Sequence, residues 1–516
     1  MTEYLDLIMF AALMAAILTG YPVSFSIAGV AVGFAFLGWA TGAMDISLLG
    51  ALGQRVFGLI SNEVLIAIPL FVLMGAVLEK SRIAEDLLDT MGRLFGQLRG
   101  GLGISVVLVG ALLAASTGIV GATVVAMGMI ALPTMLRSGY DPRVASGIVC
   151  TAGTLGQIIP PSTLLIILAD VMSNAFQQAQ YEQGKFSVEA LSVGQFFAAA
   201  MGPGLALVLL YLLYILIRGM IRPQDMPPAA ADLPRPERAE VLRAVVPPIA
   251  LILAVLGAIL GGIATPTEAA SVGGIGALLM TGLRLGYAPR LIGFGILALV
   301  VLAVLVGIFP VRLQRSDLDG GQMALGGFYI LLTIAGAIGI LAALRGAMRE
   351  KVVHAAVEST LTMTAMIFAT ILAAGVFSLV FIGLGGEDRV AAILGNLPGG
   401  KTGALIFVMI FVFILGCFLD FIEISVIVLP LVMPTLIVMG HDPIWLGILI
   451  AINLQTSFLT PPFGFSLFYL RGAAPKEVTT GHIYAGVMPF IGLQILGIAL
   501  VWAWPALATW LPGAIF

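Results

Sequence analysis

The sequence is poor in charge, in cysteine and in histidine. Of its 516 residues only 10% are Asp, Glu, Lys or Arg, whereas a soluble globular protein carries about 25%. The formal net charge of −3 offers no basic surface for nucleic acid. Two cysteines, Cys150 and Cys417, and three histidines are too few for a disulfide framework or a dedicated transition-metal site. These shortages exclude a soluble enzyme, a nucleic-acid-binding protein and a disordered scaffold.

Long apolar segments take the place of charge. Hydrophobic residues make up 60% of the chain, the mean hydropathy is +1.12, and runs of about 20 apolar residues recur throughout, as in a polytopic membrane protein. The segment 44–60 carries Asp45, Gln54 and Arg55 and is predicted to be an interfacial or buried helix. Membrane spans are predicted near 4–19, 23–40, 62–79, 144–172, 195–217, 245–263, 266–283, 291–311, 326–344, 354–382, 443–470 and 483–504.

Two apolar stretches, 101–136 and 402–439, are too long for one crossing and too short for two. Small or polar residues interrupt each one, at Ala114 to Gly118 and at Gly416 to Asp420. This pattern predicts two half-helices that meet at a tip inside the membrane, which is tolerated where protein or a water-filled cavity covers the backbone. The alternative is a single long tilted helix with a glycine kink.

The distribution of arginine predicts that the two hairpins enter from opposite sides. Arginines flank the stretch 101–136, whereas few positive charges flank 402–439. Because cytoplasmic loops are enriched in Lys and Arg, the first hairpin is expected to open to the cytoplasm and the second to the outside. The same count of spans places both termini outside.

An internal repeat supports this inversion. Seven residues recur at a constant offset of 301: Pro133, Thr134, Gly139, Asp141, Pro142, Pro160 and Pro161 match Pro434, Thr435, Gly440, Asp442, Pro443, Pro461 and Pro462. An earlier match, Pro22 with Pro266, has an offset of 244, so an insertion of 301 − 244 = 57 residues follows in the second half. Inverted repeats are a transporter architecture with the binding site at their interface.

Each repeat carries two adjacent prolines within an apolar span, in Gln157 to Ser162 and in Phe458 to Gly464. Two prolines remove two N–H donors and push the preceding residue out of helical geometry, so the helix is expected to break. Freed carbonyl groups upstream suit a cation such as Na⁺, and free N–H groups downstream suit an anion. A structural kink is the alternative, which recurrence in both halves disfavours.

Polar residues at the tips complete the predicted site. Ser116 and Thr117 supply hydroxyl groups in the first tip, and Asp420 lies in the second beside a predicted cation site. Intramembrane carboxylates are costly and by default functional. Glu423 is either a functional residue or a residue that interacts with a nearby Arg or with the membrane interface.

Two further polar segments could contribute to the site. Residues 453–457 lead into the second helix break and are well placed to do so. The threonines of 360–364 line a cavity or bond back to their own helix.

These motifs together resemble the large membrane subunit of tripartite ATP-independent periplasmic (TRAP) transporters. The resemblance rests on Ala115 to Gly118, Gly139 to Pro142, Pro160 to Ser162, Ala264 to Ala270 and Gly416 to Asp420. It implies an all-α, multi-pass protein of the bacterial inner membrane, not an enzyme, with inverted repeats, two re-entrant hairpins, two broken helices and an elevator mechanism. It also implies Na⁺-driven uptake of a small organic anion, a small membrane subunit and a periplasmic substrate-binding protein as partners.

The resemblance also assigns candidate site residues by position. A first Na⁺ site is expected at Ser116, Thr117, Gly118, Gly156, Gln157 and Pro160, and a second at Gly416, Asp420, Thr456, Thr460 and Phe463. The substrate anion is expected between the tips, at Ser116, Thr117, Ser162, Thr460 and Gly464.

The same resemblance divides the chain into seven segments and leaves other functions to be weighed. The expected segments are N-terminal scaffold helices with a cytoplasmic arm (1–98), a first transport half (99–194), scaffold helices (195–290), a two-helix insertion (291–350), a scaffold and arm segment (351–400), a second transport half (401–475) and a C-terminal helix (476–516). A self-sufficient Na⁺/dicarboxylate symporter is the alternative function. An ion-pumping complex is disfavoured because the predicted spans hold almost no Lys or His.

Overall fold

A computed structural model describes residues 4–118, 120–228, 236–311 and 319–516, and it also leaves the side chains of Ser116 and Thr117 undescribed. All regular secondary structure in these residues is helical. The first half contains α1 (Leu5–Leu18), α2 (Val23–Ala40), α3 (Leu52–Ile60), α4 (Glu63–Lys80), α5 (Ile83–Phe95), α6 (Gly101–Thr117), α7 (Val120–Arg137), α8 (Pro142–Thr154), α9 (Thr163–Glu182) and α10 (Val193–Ile221).

The second half repeats this order with two additional helices. It contains α11 (Arg238–Leu260), α12 (Pro266–Arg284), α13 (Pro289–Ile308), α14 (Gly320–Arg349), α15 (Val352–Gly383), α16 (Gly386–Gly395), α17 (Gly400–Gly416), α18 (Phe421–Glu423), a π-helical turn (Ile424–Val428), α19 (Leu429–Val438), α20 (Pro443–Leu459), α21 (Phe465–Ala473), α22 (Thr480–Ala503) and α23 (Ala506–Ile515).

The number of helices that are long enough to cross a membrane on their own is smaller than the number of predicted spans. Within the described residues nine helices are long and apolar enough, or ten if the bent pair Ile46–Ile60 and Glu63–Lys80 is one span. The predicted spans 144–172 and 443–470 are each divided by a helix break, and the first helix, α1, has only 14 residues. The protein is therefore a multi-pass membrane protein in which several helices cover part of the bilayer.

The 301-residue offset predicted from the prolines extends to the helix bounds. Adding 301 to the bounds of α7 gives 421–438, which is where α18 begins and α19 ends. The arm helix α5 corresponds in the same way to α16. Each half starts its broken helix with an aspartate cap, because Oδ1 of Asp141 and of Asp442 accepts a backbone N–H bond of 2.7 Å.

The two halves differ where α15 replaces two helices. Residues 52–80 of α3 and α4 map onto 353–381, which lie within the single helix α15. In the first half the chain bends by 53° between these helices. Asn62 caps α4 there by accepting a 3.0 Å bond from the N–H of Val64, so a new helix begins.

Helices of one half pack against helices of the other in reciprocal pairs. α4 packs against α12, and its counterpart α15 packs against α2. Likewise α9 packs against α19, and α21 packs against α7. The halves therefore interlock through equivalent contacts, as an inverted repeat requires.

Ion pairs repeat this reciprocity at the arms. Arg93 of α5 pairs with Glu240 of α11, the first helix of the second half. Arg389 of α16 pairs with Asp6 of α1, the first helix of the first half, at 2.5 Å, and the Asp6 side chain is only 1% exposed. Each arm is thus tied to the opposite half of the chain.

The insertion forms a peripheral pair of helices, α13 and α14. The two helices approach closely, since a Cβ added at Gly295 would lie 2.8 Å from the Cα of Gly339. They pack on α12 through a small apolar cluster separate from the main core, formed by Leu279, Ile292 and Ala343. Their outer faces, including Phe294 and Leu331, are exposed and apolar, as on a lipid-facing surface.

Candidate functional site

The first hairpin turns at a glycine. α6 ends at Thr117, and Gly118 adopts a left-handed conformation with φ +61°, which suits glycine. Its N–H donates to the carbonyl of Ala114 at 2.9 Å, closing the helix end. A Cβ added at Gly118 would lie 3.0 Å from the backbone N of Thr163. The tip therefore lies directly against the first helix break.

A direct hydrogen bond joins this tip to the break. Oγ1 of Thr163 donates to the Gly118 carbonyl at 2.7 Å. The break itself consists of a single 3₁₀ turn, Leu155–Gln157, followed by the cis Pro160–Pro161 bond and the extended residue Ser162. α9 then restarts at Thr163, as the adjacent prolines predicted.

The second break has the same construction. α20 ends at Leu459, Thr460 is extended, and the Pro461–Pro462 bond is cis. α21 starts after Gly464, where a Cβ would lie 2.6 Å from the Phe458 carbonyl oxygen. The backbone is thus folded tightly enough at this break to require glycine.

Serine hydroxyls satisfy equivalent carbonyls at the two breaks. Oγ of Ser162 donates to the carbonyl of Gln157 at 2.9 Å, and Oγ of Ser466 donates to that of Phe458 at 2.6 Å. Gln157 and Phe458 differ by 301 positions, but the two serines do not. Their contact depends on the folded break, so the repeat offset alone does not reveal Ser466.

The second hairpin turns through an acidic helix cap. Phe421 N–H donates to Oδ1 of Asp420 at 2.7 Å, and Asp420 N–H donates to Oε2 of Glu423 at 2.5 Å. The Asp420 side chain also accepts from the backbone N–H of Glu423, and this bond and the bond to Oε2 of Glu423 form a capping box at the start of α18. Glu423 is therefore buried as part of the cap, and the two roles predicted for it stay predictions. The Asp420 side chain is partly exposed at the tip.

Several polar side chains near the breaks are completely buried and have no hydrogen-bond partner among the described residues. Both amide atoms of Gln157 are in this state, as are Oε1 of Gln455, Oγ1 of Thr151 and Oγ of Ser425. Buried polar atoms are usually paired, and exceptions call for an ion, a water or a functional role. Gln157 belongs to the first helix break, and Ser425 lies in the π-helical turn that follows the second tip.

An aromatic ring packs against the first hairpin. The ring of Tyr469, on α21, lies against Gly121 of α7, where an added Cβ would lie 2.9 Å from it. The side chain of Tyr469 is 38% exposed. Sequence analysis did not single out this residue, because its contact joins two distant segments.

Three of the predicted site residues lie at contacts beside a tip or a break. Gly156 packs against Ala114 of the first hairpin, and a Cβ added at Gly416 would clash with Oγ of Ser457 beside the second break. The ring of Phe463 lies 5.2 Å from that of Phe418 at the second tip. The side chains of Ser116 and Thr117 lie outside the described residues.

The threonine hydroxyls of the predicted site are used by the backbone. Oγ1 of Thr456 donates to the carbonyl of Ile452 at 2.7 Å, and that of Thr460 to the carbonyl of Thr456 at 2.8 Å. Thr360 and Thr362 likewise bond back to their own helix. An ion at the second site would therefore meet carboxylate, backbone and hydroxyl oxygens, because a hydroxyl that donates its proton to a carbonyl keeps its own lone pairs.

Two inverted halves, each with a hairpin tip closed against a broken helix, define a membrane transporter. The chain matches the family model described as "Tripartite ATP-independent periplasmic transporter, DctM component" over residues 10–507, and it belongs to this family. Large permeases of this family are inner-membrane proteins, not enzymes, and work with a small membrane subunit and a substrate-binding protein.

Relatives named for different substrates match at similar levels of identity. The chain is 26% identical to the C4-dicarboxylate TRAP transporter large permease protein DctM of Vibrio cholerae, over 98% of this chain and 97% of the relative. It is 25% identical to the ectoine permease TeaC of Halomonas elongata, over 98% of both chains. It is 24% identical to the sialic acid permease SiaM of Vibrio cholerae, over 96% and 95%.

A solved structure supports the fold. The crystal structure of the Alcanivorax borkumensis YdaH transporter, described as having an unusual topology, aligns with a TM-score of 0.54. The alignment covers 90% of this chain and 88% of that one at 16% sequence identity. This likeness concerns the fold alone.

Proposed function

We propose that this chain imports a small organic anion by Na⁺ symport and that an extracytoplasmic binding protein delivers the substrate. The two hairpins and the two broken helices, here called the transport body, move together as an elevator in this proposal. The observation that carries the proposal is the paired contact of each hairpin tip with a helix break of its own half. At the first tip this contact is the bond from Thr163 to the Gly118 carbonyl. Each contact gathers backbone oxygens inside the membrane, where a cation needs them.

The first Na⁺ would bind at the first tip and break. The proposed ligands come from Ser116, Thr117, Gly118, Gly156, Gln157 and Pro160. The buried carboxamide oxygen of Gln157 supports this assignment, because it has no partner among the described residues and amide oxygens suit hard cations. The left-handed Gly118 leaves room for the close approach of backbone oxygens.

The second Na⁺ would bind beside the acidic cap. Its proposed ligands come from Gly416, Asp420, Thr456, Thr460 and Phe463, with the Asp420 carboxylate supplying the charge. In support, the cap uses one oxygen of Asp420 for the Phe421 N–H, and a carboxylate has further lone pairs for an ion. The Asp420 side chain is also partly exposed at the tip.

The anion would lie between the two tips, near Ser116, Thr117, Ser162, Thr460 and Gly464. Two half-helices begin there, α9 at Thr163 and α21 at Phe465. Helix N-termini carry free N–H groups and a partial positive charge, which attract a carboxylate. Bound Na⁺ would add positive charge beside the anion, which couples the binding of the two.

The packing of the halves supports an elevator. The hairpins and broken helices interlock through α9 with α19 and α7 with α21, so they can move as one body. The relatives named above for C4-dicarboxylates, ectoine and sialic acid match at 24–26% identity. We therefore propose a small organic acid as substrate, without preference among these three.

Uptake into proteoliposomes tests the proposal. The chain, its small subunit and the cognate binding protein are reconstituted, and uptake of a panel of organic acids is measured with and without an inward Na⁺ gradient. Uptake that requires both Na⁺ and the binding protein is expected. Na⁺-driven uptake without the binding protein would instead establish a self-sufficient symporter, and uptake indifferent to Na⁺ would reject the coupling.

A further inference from the structure

An apolar cavity of about 450 Å³ lies beside the first hairpin. The arm α5, the hairpin helix α6, the first break, α10 and α11 enclose it. Every lining residue is apolar, and Ala115 and Pro160 bring its inner wall to the predicted first Na⁺ site. The cavity therefore joins the surroundings of the transport site to the helices around it.

The mouth of this cavity opens sideways, toward the bilayer. Leu205 of α10 and Leu253 of α11 line it and are 61% and 63% exposed, whereas Val109 and Ala200 of the inner wall are almost completely buried. In a membrane protein such exposed leucines face lipid. The cavity is thus continuous with the protein–bilayer interface through a gap between α10 and α11.

The chemistry of the lining limits the occupant. An organic anion or an ordered water needs polar partners, which the lining side chains do not supply. A hydrocarbon chain needs none, and the surrounding bilayer supplies hydrocarbon chains in excess. The volume also lies within the range of ligand pockets, roughly 300–1,000 Å³.

We propose that the cavity between α5, α6, α10 and α11 binds an acyl chain of a bilayer phospholipid. The chain enters between Leu205 and Leu253 and reaches Ala115 and Pro160. It fills the space between the first hairpin and the helices α5 and α11, so that these elements slide against hydrocarbon. The binding stands on the cavity itself, whereas its effect on transport rests on the proposed elevator.

Photo-crosslinking from inside the cavity tests the binding. Leu108 of α6 lines the cavity and is replaced by p-benzoylphenylalanine in the complete complex with the small subunit. The complex is reconstituted in vesicles of phosphatidylethanolamine and phosphatidylglycerol at 3:1, and intact-mass spectrometry follows illumination. We expect a covalent adduct of one phospholipid.

Two matched variants make the result decisive. Benzoylphenylalanine at Phe294, on the exposed face of α13, reports ordinary bilayer contact and must give the adduct. Ala200→Phe projects a ring into the cavity from α10 and should lower the Leu108 adduct several-fold while leaving the Phe294 adduct unchanged. Met201→Phe, also a lining position but partly exposed, gives a second test if Ala200→Phe does not fold.

Three results would overturn the proposal. They are a Phe294 adduct without a Leu108 adduct, a Leu108 crosslink to the small subunit, and a Leu108 adduct unaffected by filling the cavity in a folded variant. If the adduct forms but Ala200→Phe leaves the uptake rate unchanged, the acyl chain binds without governing movement. Failure of Na⁺-driven uptake would leave the crosslinking result intact, so the two proposals fail separately.

Discussion

Nε2 of Gln455 donates a 3.4 Å hydrogen bond to Oγ1 of Thr154, its own counterpart in the other half of the chain. The two residues differ by 455 − 154 = 301 positions, which is the repeat offset. A contact between equivalent positions lies on the axis that relates the halves. α8 and α20 therefore meet at the centre of the transport body, and their polar side chains are completely buried there.

Gln455→Met should change the free energy of unfolding by about 1 kcal/mol or less. The substitution destabilises the protein by removing the bond to Thr154. It also stabilises the protein by removing Oε1, a polar atom that is buried without a partner among the described residues. These two effects largely cancel. Gln455→Glu should reduce the yield of folded protein sharply, because it buries an uncompensated charge. Thermal melting of the purified complex measures the stability of both variants. A loss of stability well above 1 kcal/mol for Gln455→Met would contradict this cancellation.

Asp420→Asn should raise the Na⁺ concentration for half-maximal uptake at least tenfold while the complex still assembles. Asparagine keeps the cap of α18 but loses the charge. Asp420→Ala serves as the comparison, since it removes both and should cost an additional 1 kcal/mol or so of stability. Na⁺ activation unchanged in the Asn variant would remove Asp420 from the ion site.

Gly121→Ala should depress transport strongly, because the added methyl group would lie 2.9 Å from the ring of Tyr469. Tyr469→Leu should restore activity in the double variant, whereas Tyr469→Phe should not, because it keeps the ring. Uptake rates of the wild type, Gly121→Ala, Tyr469→Leu and the double variant form a double-mutant cycle. Additive effects would mean that the contact between Gly121 and Tyr469 does not influence transport.

Asp6→Asn should destabilise the protein by an amount approaching the roughly 3–5 kcal/mol that breaking a buried ion pair costs. Asp6 is almost completely buried beside Arg389. Asp86→Asn is the matched control, because its pair with Arg284 is half exposed and should contribute about 1 kcal/mol or less. Equal shifts in melting temperature for Asp6→Asn and Asp86→Asn would show that the buried ion pair stabilises the protein no more than the exposed one.

Prolines and glycines made most of the fold predictable. The breaks at Pro160 and Pro461 follow from lost N–H donors, and the constant offset placed the hairpins and the insertion. An arm was expected within 351–400, but the bounds of the short helix α16 were not predicted, because it is too brief to give a periodic pattern in an apolar sequence. Helix bounds within the broken spans depended on local capping that the apolar pattern does not reveal.

The site was predictable only in part. Backbone elements such as Gly118 and Gly464 follow from the turn chemistry, since glycine fits where a Cβ would clash. The partner of Glu423 and the position of Tyr469 depend on how distant segments meet. Side-chain hydroxyls were harder still, because the apolar pattern does not reveal that Thr456 and Thr460 donate their protons to carbonyls of their own helix.

The paired helices α13 and α14 bear on how such a protein changes over evolution. The pair follows α12 and precedes α15 in the chain, and the close contact of Gly295 with Gly339 is internal to the pair. An added pair of crossings brings the chain back to the side it left, so the following helices keep their orientation. A segment of this kind can be gained, lost or exchanged between lineages without rebuilding the transport body, which makes it a natural place for descendants to diverge.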